Sequence, residues 1–269
     1  MSASTASDEA AYDAGELMIT VLASVFENDD QVCNGVASHI PVCAIQLARL
    51  THAPALTWLA GAAGLDPHLH PLPASTFEPT LWQDAVMYVD QRDFWNFVAS
   101  PRYLQKFCVG GAQVDQFGNM NNTVIGKDYH HPKVRLPGTA GLADMGSMPK
   151  RLLYWVNDHS PRTLVDRVDF RSAAGFLGGY GERARLGLAG GPELVVTNLA
   201  VFDFAPDSQR MRLKSLHPGV TLEQVLAATG FEPVLPESIG TTPAPSPEQL
   251  RLIREVIDPD GRRYHQRTR

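Results

Sequence analysis

The apolar positions of this chain switch repeatedly between a helical and a strand spacing. Residues 11–27 place Ala14, Leu17, Met18, Val21, Leu22 and Phe26 on one helical face. Residues 35–67 predict a small-residue turn, then a helix with Val42, Ile45, Leu47 and Leu50 apolar, a break at Pro54 and a buried strand Ala55–Ala60. The prolines at 67, 71, 73 and 79 make 66–80 a loop. Val86–Val89 predicts a strand, and Asp93–Val98 a helix that packs Phe94 and Phe97. Ala112–Asp115 and Met120–Ile125 predict strands on either side of a Phe117-Gly118-Asn119 turn. Residues 132–148 pair a glycine turn with a helix start, and Leu152–Val156 predicts a strand. Leu164–Val168 is ambiguous, and 175–191 is a glycine-rich excursion. Leu194–Thr197 and Leu199–Phe204 predict a hairpin around Asn198. Two helices follow: Leu222–Thr229, capped by Thr221 and closed by Gly230, and Pro247–Val256, capped by Ser246 beyond a 243–245 linker. Alternating short strands and helices predict an α/β fold, a three-layer open sheet with helices on both faces. The expected division is a disordered 1–10, one α/β domain over 11–257 and a flexible charged tail over 258–269.

Composition narrows the partners. A 269-residue chain that is 44% hydrophobic and 19% charged can bury a substantial core. Its formal net charge of −6 argues against nucleic acid or an anionic membrane as the main partner. Cys33, Cys43 and Cys108 form no CxxC pair, which suits a reducing compartment. No apolar run approaches the roughly 20 residues that span a bilayer. The acidic start (Asp8, Glu9, Asp13, Glu16) is unlike a targeting peptide. The expectation is a cytoplasmic protein.

Candidate chemistry starts at a strand end. In open α/β sheets ligands sit in the crevice beyond the carboxyl ends of the strands. Strand 55–60 ends in Gly61-Ala62-Ala63-Gly64, which offers two methyl groups where a reactive side chain would belong.

The segments GGAQVDQFGNMN (110–121), LARLTHAP (47–54), LPGTAG (136–141) and SLHPGVT (215–221) resemble the β subunits of family I CoA-transferases, in order over most of 11–257. With LRLIREVIDP (250–259), the late segments are similar to the branch that opens steroid-derived rings carried on coenzyme A. The resemblance implies the CoA-transferase type of α/β fold, an acyl-CoA substrate, no bound cofactor and a homologous α subunit, often in an α2β2 assembly. It also implies that a transferase would carry a thioester-forming glutamate at or near Ala62. Residues 55–65 contain no carboxylate, and an alanine methyl has no lone pair for covalent catalysis. The nearest acid is Asp66. A decarboxylase branch uses cysteine at this place, but no cysteine falls in 55–65. The expected function is therefore a hydrolytic β subunit that opens a CoA-linked cyclic β-keto ring with a carboxylate from the α partner. The alternatives are a genuine CoA-transferase subunit and a non-catalytic scaffold.

The remaining candidates are backbone donors and amides. Gly110 and Gly111, with Gly138, are oxyanion candidates, because main-chain N–H groups stabilise developing negative charge. Gln113, Asn119, Thr139, Gly141 and His39 are candidates for substrate binding. For Asp115 and Asn119 the competing reading is a hydrogen-bonded turn. The 137–141 turn lacks the GxxxxGK[ST] spacing of nucleotide hydrolases. His68, His70, His130 and His131 form no recognised ligand set, so no metal is expected. His52 and Cys43 read as packed side chains. The aromatics Trp82, Tyr88, Phe94, Trp95 and Phe97 read as core or as the wall of a wide apolar pocket.

Overall fold

The computed structural model describes residues 11–61, 63–100, 102–148, 151–188 and 190–267. The expected disordered segment 1–10 lies outside them. The strands are β1 (Gln31–Asn34), β2 (Thr57–Ala60), β3 (Gly64–Leu65), β4 (Met87–Tyr88), β5 (Lys106–Val109), β6 (Gln113–Asp115), β7 (Met120–Asn121) and β8 (Val124–Ile125). They continue as β9 (Val134–Arg135), β10 (Arg151–Val156), β11 (Leu164–Val165), β12 (Gly191–Thr197), β13 (Ala200–Phe204), β14 (Met211–Leu216) and β15 (Gly240–Thr241). The α-helices are α1 (Ala14–Ala23), α2 (His39–Leu50), α3 (Gln91–Ala99), α4 (Leu142–Met145), α5 (Glu182–Arg185), α6 (Leu222–Ala228) and α7 (Pro247–Arg251). A π-helical turn, Leu252–Ile257, extends α7.

Among the described residues one large sheet runs in the order β15-β14-β13-β12-β10-β5-β1-β2-β3-β4. Its centre, from β12 through β10, β5 and β1 to β2, is parallel. The flanks β2-β3-β4 and β12-β13-β14 are antiparallel. Neighbouring side chains of a strand point to opposite faces, so a strand buried on both sides reads as an unbroken apolar run. Leu153 and Val196 join Val32 and Trp58 under α1, α2 and the π-helical turn. Leu152 and Val195 join Phe107, Val109 and Tyr154 on the other face. That second face is covered by Phe94 and Val98 of α3, Val225 of α6, and Val114 and Met120 of the small sheet β11-β6-β7. This is the three-layer α/β architecture that the pattern predicts.

Local signals act where the pattern places them. Thr221 and Ser246 both close capping boxes with the glutamine three residues on, and Pro247 opens α7. Two differences have clear causes. The predicted strand Met120–Ile125 breaks at Asn122; its second half, β8, pairs with β9 rather than with β6. Strand β14 (MRLKSL) alternates polar and apolar residues because only one side is buried.

The expected charged tail opens with buried side chains. Asp258 and Arg263 are 2% and 6% exposed. Arg263 donates to Asp258 at 2.7 Å and to Glu16 at 2.9 Å. Glu16, 1% exposed in α1, also accepts from Arg254 at 2.7 and 2.8 Å. These pairs tie the chain's two ends together across the first core. Losing the Glu16 charge strips Arg254 of its carboxylate partner and leaves the buried Arg263 with Asp258 alone. Glu16→Gln is expected to cost about 3 kcal/mol in urea unfolding; an unchanged midpoint would contradict this tether.

Candidate active site

Strand order places the crevice. The chain passes from β1 through α2 to β2 on one side of β1, whereas β5 lies on the other side. The order reverses between β1 and β5, and ligands bind beyond the carboxyl ends at such a switch point. The residues there are Asn34-Gly35, after β1, and Gly110-Gly111, after β5. The turn after β2 borders the crevice one strand spacing beyond β1, about 5 Å away. The crevice floor is fixed by Asn34, which accepts from the Trp58 indole at 2.9 Å and donates to the Gly35 carbonyl at 3.0 Å. The Gly35 N–H donates to the Cys108 carbonyl at 2.9 Å.

One residue that the sequence pattern does not single out organises the rim. Asn122 donates from its side chain to the Gly110 carbonyl at 3.1 Å and accepts from the Ala112 N–H at 2.8 Å. Its own carbonyl accepts from the Gly138 N–H at 2.8 Å. Its N–H donates to Ser172 Oγ at 2.9 Å. Asn122 therefore binds the 110–112 loop to the 138–141 loop. Its only sequence signal is the run Asn119-Met120-Asn121-Asn122.

This geometry sorts the oxyanion candidates. The Gly138 N–H is spent on Asn122, so it is not an available donor. Among the described residues the N–H groups of Gly110, Gly111, Thr139, Ala140 and Gly141 have no acceptor. The loops must be glycine-rich for steric reasons. A Cβ on Gly111 would stand 2.4 Å from Met120 Cγ, and one on Gly141 would stand 1.8 Å from the Trp95 ring. The predicted helix after this turn, α4, has only four residues and contributes little dipole.

The amides expected to meet substrate are used inside the fold. Gln113 accepts from Asn121 at 2.8 Å and from the Asp169 N–H at 3.1 Å. Asn119, 1% exposed, donates to both oxygens of Asp115 and accepts from the Gly175 and Leu177 N–H groups. Burial raises the Asp115 pKa above the usual carboxylate range despite these bonds. The Phe117 and Asn119 N–H groups donate to Asp115 Oδ1, which forms the hydrogen-bonded turn. His39 is 6% exposed, and its Nε2 lies 3.1 Å from the Ala74 carbonyl. Thr139 is half-buried beside the free N–H groups.

Ala62 itself lies outside the described residues. Its surroundings are ordered. β2 and β3 form a hairpin with Ala60 opposite Gly64, and the Trp82 ring packs where a Cβ on Gly61 would stand. Asp66 cannot reach the hairpin tip. Its N–H donates to the Trp58 carbonyl, which sets it about 7 Å back along the sheet from Gly64. There its carboxylate pairs with Arg49 at 3.0 Å.

Cys33, Cys43 and Cys108 are buried, and burial pushes all three thiols up, Cys33 to about 12. His70 pairs with Asp84 and His131 with Asp128, and His52 meets the Phe26 carbonyl. Among the described residues no three His, Cys, Asp or Glu cluster as metal ligands. The aromatic group divides: Phe94 is core, Trp82, Trp95 and Phe97 are half-buried, and Tyr88 is exposed.

A class of protein follows from this sheet, this switch point and these glycine loops. Residues 16–228 match the coenzyme A transferase family, and the chain belongs to it. It is 35% identical over 249 residues to one of the subunits of 3-oxoadipate CoA-transferase from Pseudomonas knackmussii, covering 91% of this chain and 94% of that protein. It is 32% identical over 241 residues to the cholesterol ring-cleaving hydrolase IpdB subunit of Rhodococcus jostii, covering 88% and 89%. Among solved structures, glutaconate coenzyme A-transferase from Acidaminococcus fermentans superimposes with a TM-score of 0.84 at 29% identity, over 92% of this chain and 95% of that one. Among the described residues no helix is long and apolar enough to cross a membrane.

A buried histidine joins the end of β12 to the end of α6. His159 lies 2.9 Å from both Thr197 Oγ1 and Thr229 Oγ1. Burial lowers its pKa from 6.5 to about 4, against a smaller opposing effect of Asp158. Between these values the unfolded chain takes up a proton that the folded chain refuses. Stability should therefore fall as pH drops through this window. His159→Gln is expected to reduce the fall in urea stability between pH 6.5 and about 4, with a remainder from His217, whose pKa burial also lowers; an unchanged slope would contradict the assignment.

Proposed function

We propose that this chain is the β subunit of a two-subunit enzyme that opens a ring carried on coenzyme A by adding water across a carbon–carbon bond. The observation that carries this reading is the absence of any carboxylate from 55 to 65, at the end of β2. A transfer reaction through a glutamyl thioester needs a nucleophile there. Asp66, set back and paired with Arg49, does not supply one.

The residues that remain suit a different step. A carboxylate of the α subunit draws a proton from water, and the hydroxide oxygen attacks the ring ketone of a β-keto thioester. The carbon–carbon bond breaks, and its electron pair passes into the thioester as an enolate. The free N–H groups of Gly110 and Gly111, with those of 139–141, are suited to hold the enolate oxygen. The enolate carbon then takes a proton, and coenzyme A stays on the product. The 32% identity to a ring-cleaving hydrolase subunit supports this reading. The expected substrate is a steroid-derived cyclic β-keto acyl-CoA, and the expected assembly a cytoplasmic α2β2 tetramer.

A CoA-transferase is the second reading, favoured by the 35% identity to a transferase subunit. Product analysis separates the two. The enzyme, incubated in ¹⁸O-water with a cyclic β-keto acyl-CoA and a labelled carboxylic acid, is expected to give a ring-opened thioester with ¹⁸O in its new carboxylate. Coenzyme A found on the labelled acid would overturn the proposal.

A further inference from the structure

One buried donor beside the crevice has no use inside the fold. Trp155 is the penultimate residue of β10 and is 8% exposed. Its ring packs in the core beneath α1 and α2, but among the described residues its Nε1 has no hydrogen-bond partner. A buried indole N–H normally finds an acceptor, and leaving one unmet costs stability. The fold meets that demand at Trp58, which is fully buried and donates to Asn34 at 2.9 Å.

Position accounts for the exception. Tyr154 pairs with Val109 across β10 and β5, so Trp155 and Gly110 are the next opposed residues toward the carboxyl ends. A Cβ on Gly110 would stand 3.1 Å from Trp155 Nε1 and 3.0 Å from its Cε2. Any side chain at 110 would therefore cover the donor. Asn122 holds the Gly110 carbonyl at 3.1 Å and so fixes this backbone against the indole. The Gly110 N–H has no acceptor either. Burial keeps water from satisfying the indole, while the Gly110-Gly111 turn beside it carries no side chain to bar a ligand oxygen. Neighbouring unspent donors in a water-poor site suit an oxygen that gains negative charge. An indole only donates, so it holds such an oxygen and takes no part in proton transfer.

We infer that Trp155 Nε1 is a substrate-binding donor: with the Gly110 N–H it holds the thioester oxygen as charge develops there. This rests on the reading that an acyl thioester reacts in the crevice. It adds one side chain to a set of donors that is otherwise main chain, and it gives position 110 a chemical reason to be glycine.

Steady-state kinetics of the full chain with its α subunit test the inference on two variants. Trp155→Phe shrinks the ring and removes the N–H. Benzothienylalanine incorporated at 155 keeps the bicyclic shape and puts sulfur in place of the N–H. With a cyclic β-keto acyl-CoA, kcat is expected to fall about 100-fold in both, with KM little changed, because the bond strengthens as charge develops. The urea midpoint of the isostere is expected to match wild type, since the folded chain loses no hydrogen bond. Wild-type kcat with the isostere, or a loss confined to KM, would overturn the inference and leave the ring-opening proposal standing. So would a lowered midpoint of the isostere, which would mean that the fold already uses the N–H. Wild type that passes CoA to a carboxylic acid instead of opening the ring would overturn the ring-opening proposal. The same kcat comparison on that transfer then decides for or against Trp155, because the thioester oxygen is common to both reactions. Wild type that acts on no acyl-CoA would overturn both.

Discussion

The rim of the crevice depends on the Asn122 clamp. Its side-chain amide satisfies a carbonyl and an N–H of the 110–112 loop, while its own carbonyl takes the Gly138 N–H. The loops on either side of Asn122 in sequence are thereby held with neighbouring N–H groups unspent. The network is half-buried, and because one residue serves both loops the position of each depends on the other. The glycines complete the constraint, because Met120 and Trp95 occupy the space that side chains at 111 and 141 would need.

The crevice is thus rich in main-chain donors and, along 55–65, without an acid. The family holds both transferases and ring-cleaving hydrolases among this chain's relatives. A shared sheet and switch point serve either chemistry, since function resides in the site rather than in the fold. Donor N–H groups stabilise an oxyanion in both. The resemblance to transferases implies a nucleophile at the end of β2, and residues 55–65 of this chain hold no carboxylate. Under the proposal, that vacancy moves the reactive carboxylate to the partner subunit and leaves this chain to hold charge.

Much of the fold was legible because its signals are local. The apolar runs of β10 and β12, the capping boxes at Thr221 and Ser246 and the hairpin around Asn198 need no distant contact to be read. The site was legible only in part. Glycines at 110, 111 and 138 mark loops, but whether an N–H is free depends on a partner elsewhere, and Gly138 spends its own on Asn122. Gln113 and Asn119 stand out in sequence as polar candidates, while the bonds they make to Asp169, Asn121 and Asp115 appear only in three dimensions. Likewise Arg263, read as part of a charged tail, is buried against Glu16, 247 residues away in sequence.

Under the ring-opening proposal, no atom of this chain bonds covalently to the acyl group. The most direct measurement is the intact mass of this subunit after borohydride is added during turnover of an acyl-CoA. An unmodified mass is expected. A reduced side chain mapping to 55–66 would contradict it.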